Sequence, residues 1–275
     1  MLFDFSDYDK LLPIVANSLW AGAILALIGG LIGVFVVNRE LSFAVHGVSE
    51  LSFAGAAIAL LIGFDVVLGS VFGSIIAAAI LAVMGSKAKD RNSIVAVLMP
   101  FGLGIGILAL SLYPGRAANK FGLLTGQIVA VDDPKLDALI VIGVIVIAAL
   151  LFIWRPLMFA TLDPEVANAR GVPVRMLGIL FMLLLGLAVA GAVQIVGALL
   201  VLSLLVTPAA AALRLSSSQL WVPVLSILFA MVSMLGGIFL ALGAGLPISP
   251  YVTTISFLIY LLARGFEWAR QRVAA

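Results

Sequence analysis

The chain is 275 residues long, 64% of them hydrophobic and only 10% charged, with a formal net charge of +2. A soluble domain carries roughly 25% charged residues, so too few polar side chains exist to clothe this chain in water, and the solvent around most of its surface must be lipid. Cysteine is absent, which excludes a disulfide framework and a thiolate metal site; the basic residues sit singly or in small groups between apolar runs, which excludes a nucleic-acid face.

In chain order, Met1 to Lys10 is acidic and lacks the basic n-region of a cleavable signal peptide. A hydrocarbon core of about 30 Å takes about 20 apolar residues in helix. Such runs cover 13–37, 42–62, 65–84, 92–113, 134–157, 175–193, 195–213, 219–242 and 248–264. The expected fold is an all-α polytopic membrane protein, one transmembrane domain over 1–275. It has eight or nine transmembrane helices, depending on whether the apolar stretch 175–213 divides near Gly191 to Gln194. Gly29 and Gly33, and again Gly102 and Gly106, lie one helical turn apart and predict close helix packing. The segment from Pro114 to Pro134 is too apolar for a free loop and predicts a short interfacial or re-entrant helix.

With the N-terminus outside and the C-terminus inside, Lys10, Arg116, Lys120 and Lys135 lie outside, and the other eleven of the 15 lysines and arginines lie inside. The positive-inside rule selects that orientation.

Nearly every charge falls at a span edge except Glu50, two turns into the second span. His46, the only histidine, precedes it by four residues, so imidazole and carboxylate share a helix face. An ionised group near the bilayer centre costs on the order of 3 kcal/mol by insertion scales. Ser42, Ser49 and Ser52 add polarity to the same helix. Two readings stand side by side: a His–Glu hydrogen bond that fixes packing, or a transient site whose nitrogen and oxygen donors suit Zn²⁺ or Mn²⁺.

Between the fifth and sixth spans, Asp163 is a good N-cap, Pro164 fits the first helical position and Glu165 complements the helix dipole. Gly171 can end the helix in a left-handed conformation, and Pro173 prevents its return. The result is a two-turn helix through Ala169, usable either as a capped connector or as a surface for a partner to push against. No G-x-x-x-x-G-K-[ST] loop and no H-E-x-x-H occur, so no ATPase or zinc-hydrolase chemistry is read in this chain.

Three stretches together resemble the integral-membrane permeases of zinc- and manganese-type ABC transporters. They are Phe35 to Gly55, Leu162 to Arg175 with its G-V-P-V-R end, and Val196 to Ala211, a G-x-L-L-V-x-x-L-L-x-x-P-A-A helix. A fainter likeness is Gly245-Leu-Pro-Ile-Ser-Pro250. The chain departs from many relatives in having His46 where they have Asp, Glu50 where they have His, Ala54 for a proline, and Gly245 for an aspartate.

The resemblance implies a permease subunit of an ATP-driven uptake transporter in a bacterial cytoplasmic (inner) membrane, working as a homodimer with the ion path at the dimer interface. His46 and Glu50 would be the ligands for transported Zn²⁺, or Mn²⁺. The segment with Asp163, Glu165, Ala169 and Gly171 would couple to two separate ABC ATPase subunits, and an extracytoplasmic metal-binding protein would deliver the ion. No tightly bound cofactor is expected. The alternative is a secondary transporter or channel, which would call for internal symmetry or discontinuous helices at the midplane.

Overall fold

The computed structural model describes residues 15–84, 88–115, 131–198, 200–244 and 248–274. The expected interfacial helix at 114–134 and the Gly245-Leu-Pro segment fall mostly outside them. The described residues form the helices α1 (Ala16–Asn38), α2 (Ser42–Ile62), α3 (Val66–Met84), α4 (Ala88–Leu112), α5 (Asp133–Leu162), α6 (Pro164–Ala169), α7 (Val174–Val196), α8 (Val201–Leu205), α9 (Thr207–Leu215), α10 (Trp221–Ala244) and α11 (Ile248–Ala274). Eight of them are long and apolar enough to cross a membrane.

Local chemistry sets the turns. α1 ends where the Leu41 N–H reaches back to the Val36 carbonyl at 2.8 Å, with Glu40 left-handed at φ 54°. That closure usually carries glycine. Here the Arg91 guanidinium fastens it, donating to the Arg39 and Glu40 carbonyls at 3.3 Å each. α2 stops at Gly63, φ 73°, and the Asp65 carboxylate then accepts the Leu68 N–H at 2.7 Å to start α3.

Contacts along α1 order the bundle. Asn17 bonds Asp133 at 2.7 Å, and Arg39 bonds Thr161 at 3.3 Å, so α5 runs beside α1 from end to end. Gly22 faces Met234 and Ile238 while Gly30 faces Ile227, so α10 starts at the Arg39 end and runs antiparallel to α1. α7 finishes at the opposite end, where the Gln194 amide donates to the Val66 carbonyl at 2.9 Å. The chain returns to the Arg39 end through α8 and α9, and Arg214 meets Glu267 of α11 there at 3.4 Å.

The described chain therefore passes between the two ends nine times, eight times by a long helix. The seventh pass departs from the expected continuous span at 195–213. α7 continues unbroken to Val196, past the expected division at Gly191 to Gln194. Gly197 then adopts φ 77°, ψ 161°, a conformation reserved for glycine. Further on, Pro208 has no N–H to offer the Leu204 carbonyl, and the helix parts at Val206.

α1, α2 and α7 are enclosed, and Phe35, Phe53 and Phe181 are among the largest fully buried side chains. α5 turns much of its surface outward, with Phe152 89% exposed, as lipid-facing helices do. The glycine pairs sit at close crossings. A Cβ at Gly33 would overlap the Leu205 carbonyl oxygen, one at Gly29 would lie 3.1 Å from that of Leu204, Gly102 abuts the Glu50 backbone and Gly106 the Phe53 ring.

Candidate translocation site

α2 carries the intramembrane pair. It packs chiefly between α3 and α4 and also touches α7 and α8. Glu50 is eight residues beyond Ser42, about 12 Å along the helix at 1.5 Å per residue. The i, i+4 spacing brings His46 Nε2 to 3.9 Å from Glu50 Oε1, close enough to share an ion but beyond a hydrogen bond. The Glu50 side chain is 5% exposed and that of His46 23%. The remaining polar atoms, His46 Nδ1 and Glu50 Oε2, are buried without a partner. Buried carboxylate oxygens are normally satisfied, so this pair stands apart from the hydrogen-bonded polar groups around it.

The neighbouring serines do not join the pair. Ser49 Oγ donates to the His46 carbonyl at 2.8 Å. Ser52 Oγ lies 2.7 Å from Ser70 Oγ and 3.1 Å from the Ser70 carbonyl, and Ser70 Oγ lies 3.4 Å from the Ala190 carbonyl, so two hydroxyl protons serve a network of three polar contacts. That chain ties α2, α3 and α7 together and explains serine in the middle of apolar helices. Sequence reasoning missed Ser70, which reaches Ala190, 120 residues away, as well as Ser52, and Gln194, whose partner Val66 lies 128 residues away. Among the described residues no group of three or more His, Cys, Asp or Glu could hold a metal, so the pair offers two ligand side chains from this chain.

The second predicted segment lies at the Arg39 end. The Asp163 carboxylate accepts the Val166 N–H at 2.9 Å, Pro164 opens α6 and Glu165 lies in its first turn. Gly171 at φ 81° closes it, with the Val172 N–H returning to the Ala167 carbonyl at 3.0 Å. Ala167 is fully buried, pinning α6 to the body, whereas Asp163, Glu165, Ala169 and Arg170 are exposed. The structure thus keeps the pair and this segment as two separate features, one inside the bundle and one at its end.

The family model described as "ABC 3 transport family" matches residues 12–267. The chain belongs to the ABC 3 transport family. The resemblance to zinc- and manganese-type ABC permeases, drawn from three short stretches, is thereby borne out along nearly the whole chain. Its relatives include the manganese transport system membrane protein MntC of Halalkalibacterium halodurans, 27% identical over 263 residues that span 94% of this chain and 90% of that one. The high-affinity zinc uptake system membrane protein ZnuB of Haemophilus influenzae is 25% identical over 251 residues, 91% and 96% of the two chains. The fold is also that of the solved structure of PsaBC from Streptococcus pneumoniae in complex with a Fab, with a TM-score of 0.84, 22% identity, and coverage of 94% of this chain and 95% of that one.

Proposed function

We propose that this ABC 3 family member is the permease subunit of an ATP-driven divalent-metal uptake transporter, one permease domain moving Zn²⁺ or Mn²⁺ across a bacterial cytoplasmic membrane. The names of its relatives support the cargo class: MntC is named for manganese and ZnuB for zinc. The observation that carries the site is the pairing of a half-buried His46 with a buried Glu50, each with one buried polar atom that has no partner. Imidazole nitrogen and carboxylate oxygen suit both metals. Two ligands hold an ion weakly, as a transport site requires, and a second copy of the chain across a homodimer interface would supply more.

Orientation follows from charge: the end with Arg39, Arg91, Arg170, Arg175, Arg214, Arg270 and Arg272 faces the cytoplasm. There two separate ATPase subunits grip α6 through Asp163, Glu165, Ala169 and Gly171, and hydrolysis occurs on them rather than on this chain. An extracytoplasmic binding protein delivers the ion at the opposite end. The ATPases, through α6, drive the permease between outward- and inward-facing states.

The interrupted α8–α9 pass is the kind of feature that the secondary-transporter alternative called for, but the family match favours an ABC permease. The deciding experiment is reconstitution of the permease with its ATPase in liposomes. ATPase activity stimulated by zinc or manganese with the binding protein, and uptake dependent on ATP, support the proposal. Uptake that proceeds unchanged without ATP would move this chain to the secondary transporters.

A further inference from the structure

A cavity of about 530 Å³ opens at the Arg39 end, between the α1–α2 turn, the end of α3, the start of α4, and α6–α7. That is within the roughly 300–1,000 Å³ range of small-molecule sites. Its polar lining carries three guanidiniums, Arg39, Arg91 and Arg175, against one carboxylate, Glu165. No described carboxylate lies within ion-pair distance of any of the three arginines. Arg39 spends one N–H on Thr161 and lies over the Phe181 ring at 5.8 Å, while Arg91 uses one nitrogen on the turn carbonyls and has its Nε buried without a partner. Burial, and then the neighbouring charge of Arg91, hold the Arg39 guanidinium below the usual arginine pKa. The Glu40 carboxylate acts on the Arg91 charge, but three guanidiniums against Glu40 and Glu165 still leave a net positive charge that favours an anion, and planar guanidinium forks match phosphate oxygens.

The rest of the lining is apolar: Leu81, Ala82 and Val83 on α3, Ile179 and Met182 on α7. Val83 is 66% exposed and Ile179 half-buried, so the outer part of this wall opens toward lipid, while the buried Leu81 and Met182 close its inner side. A cationic floor beside an apolar wall fits an amphiphile better than a free ion. We propose that this pocket binds a phosphate group on the Arg39, Arg91 and Arg175 guanidiniums, supplied by an anionic phospholipid whose acyl chains lie along Val83 and Ile179. The bound lipid would also touch Pro164, Glu165 and Asn168 of α6, making the position of that helix sensitive to the surrounding leaflet.

Native mass spectrometry of the full-length protein, titrated with phosphatidylglycerol or with zwitterionic phosphatidylcholine, tests this. Wild type should retain phosphatidylglycerol preferentially. Arg175→Gln, at an exposed position, should weaken that binding roughly fivefold, the equivalent of about one lipid-facing charge, and Arg91→Gln at least as much. Arg170→Gln, exposed nearby but outside the lining, should leave it unchanged. A parallel thermal-shift series with inorganic phosphate separates the sources. Stabilisation by phosphate that Arg175→Gln abolishes, with no lipid preference, would assign the pocket to a free anion and overturn the lipid. Equal phosphatidylglycerol binding by wild type and both pocket variants would overturn the site altogether. So would loss of ATPase co-purification in Arg175→Gln with lipid binding intact, which would make the pocket a protein seat.

Discussion

Replacing Glu50 by glutamine separates ligation from packing, because shape survives and charge does not. The 3.9 Å gap to His46 means that no hydrogen bond of the pair is broken, and the Glu50 Oε2 atom has no partner to lose. The substitution instead removes a carboxyl group that is expensive to hold in the bundle, where a charged residue costs about 3 kcal/mol on insertion scales. Glu50→Gln is therefore expected to fold as well as wild type or better, read as an equal or higher unfolding temperature in detergent. Transport moves the other way. At 4 Å and an effective dielectric of about 20, one charge pair is worth about 4 kcal/mol, and a divalent ion doubles this before desolvation is subtracted. Allowing for that subtraction, a loss of at least about a hundredfold, or some 2.7 kcal/mol, is expected in initial uptake of zinc or manganese by proteoliposomes. Normal uptake of both metals, or a clear fall in thermal stability, would refute the reasoning and return the pair to a structural role.

Gly171→Val places a β-branched residue at φ 81° where no atom lies within 4 Å, so its effect is backbone strain alone, about 1–3 kcal/mol. It should reduce ATPase co-purification while insertion is preserved, Gly171→Asn should be milder, and full retention of ATPase binding and transport would make α6 only a connector. Gly33→Ala would drive a methyl group into the Leu205 carbonyl and should destabilise the fold by about 1–3 kcal/mol, whereas Gly104→Ala, with nothing within 4 Å, should be neutral or slightly stabilising. Thermal unfolding of the two variants checks the contrast, and equal behaviour would refute the close crossing of α1 and α8. For orientation, Asp132→Cys should react with an impermeant thiol reagent added outside intact cells and Gln271→Cys should not; the reverse pattern would invert the assignment of the cytoplasmic end.

Much of this architecture is legible locally. Span positions follow from hydropathy, and the bounds of α6 follow from Asp163, Pro164 and Gly171, whose chemistry acts within a few residues. The His46–Glu50 juxtaposition is a matter of helical period. The seventh pass is harder to read from sequence, despite Gly197 and Pro208, because an apolar average over twenty residues hides a break that two of them impose. The serines of α2 are hard to place from sequence for another reason. Spacing places them on one polar stretch, but Ser52 turns to Ser70 and Ser49 to its own helix, and such choices depend on which neighbour packs alongside. The left-handed Glu40 and its clasp by Arg91 had no local signal, since the clasp joins residues fifty apart.

The position of Arg39 gives the bundle a short lever. Its guanidinium holds Thr161, two residues before the cap of α6, and covers Phe181 on α7, while its backbone leads within three residues into α2. One side chain thus stands between the exposed helix at the end of the bundle and the helix that bears His46 and Glu50. If an ATPase acts on α6 as proposed, its push would need no relay across the membrane thickness, because Arg39 brings the segment before α6 to the foot of α2. Several long helices start at this end, and α2 is the one into which the Arg39 backbone itself leads, so that Arg39 joins the foot of the Glu50 helix to the segment before α6.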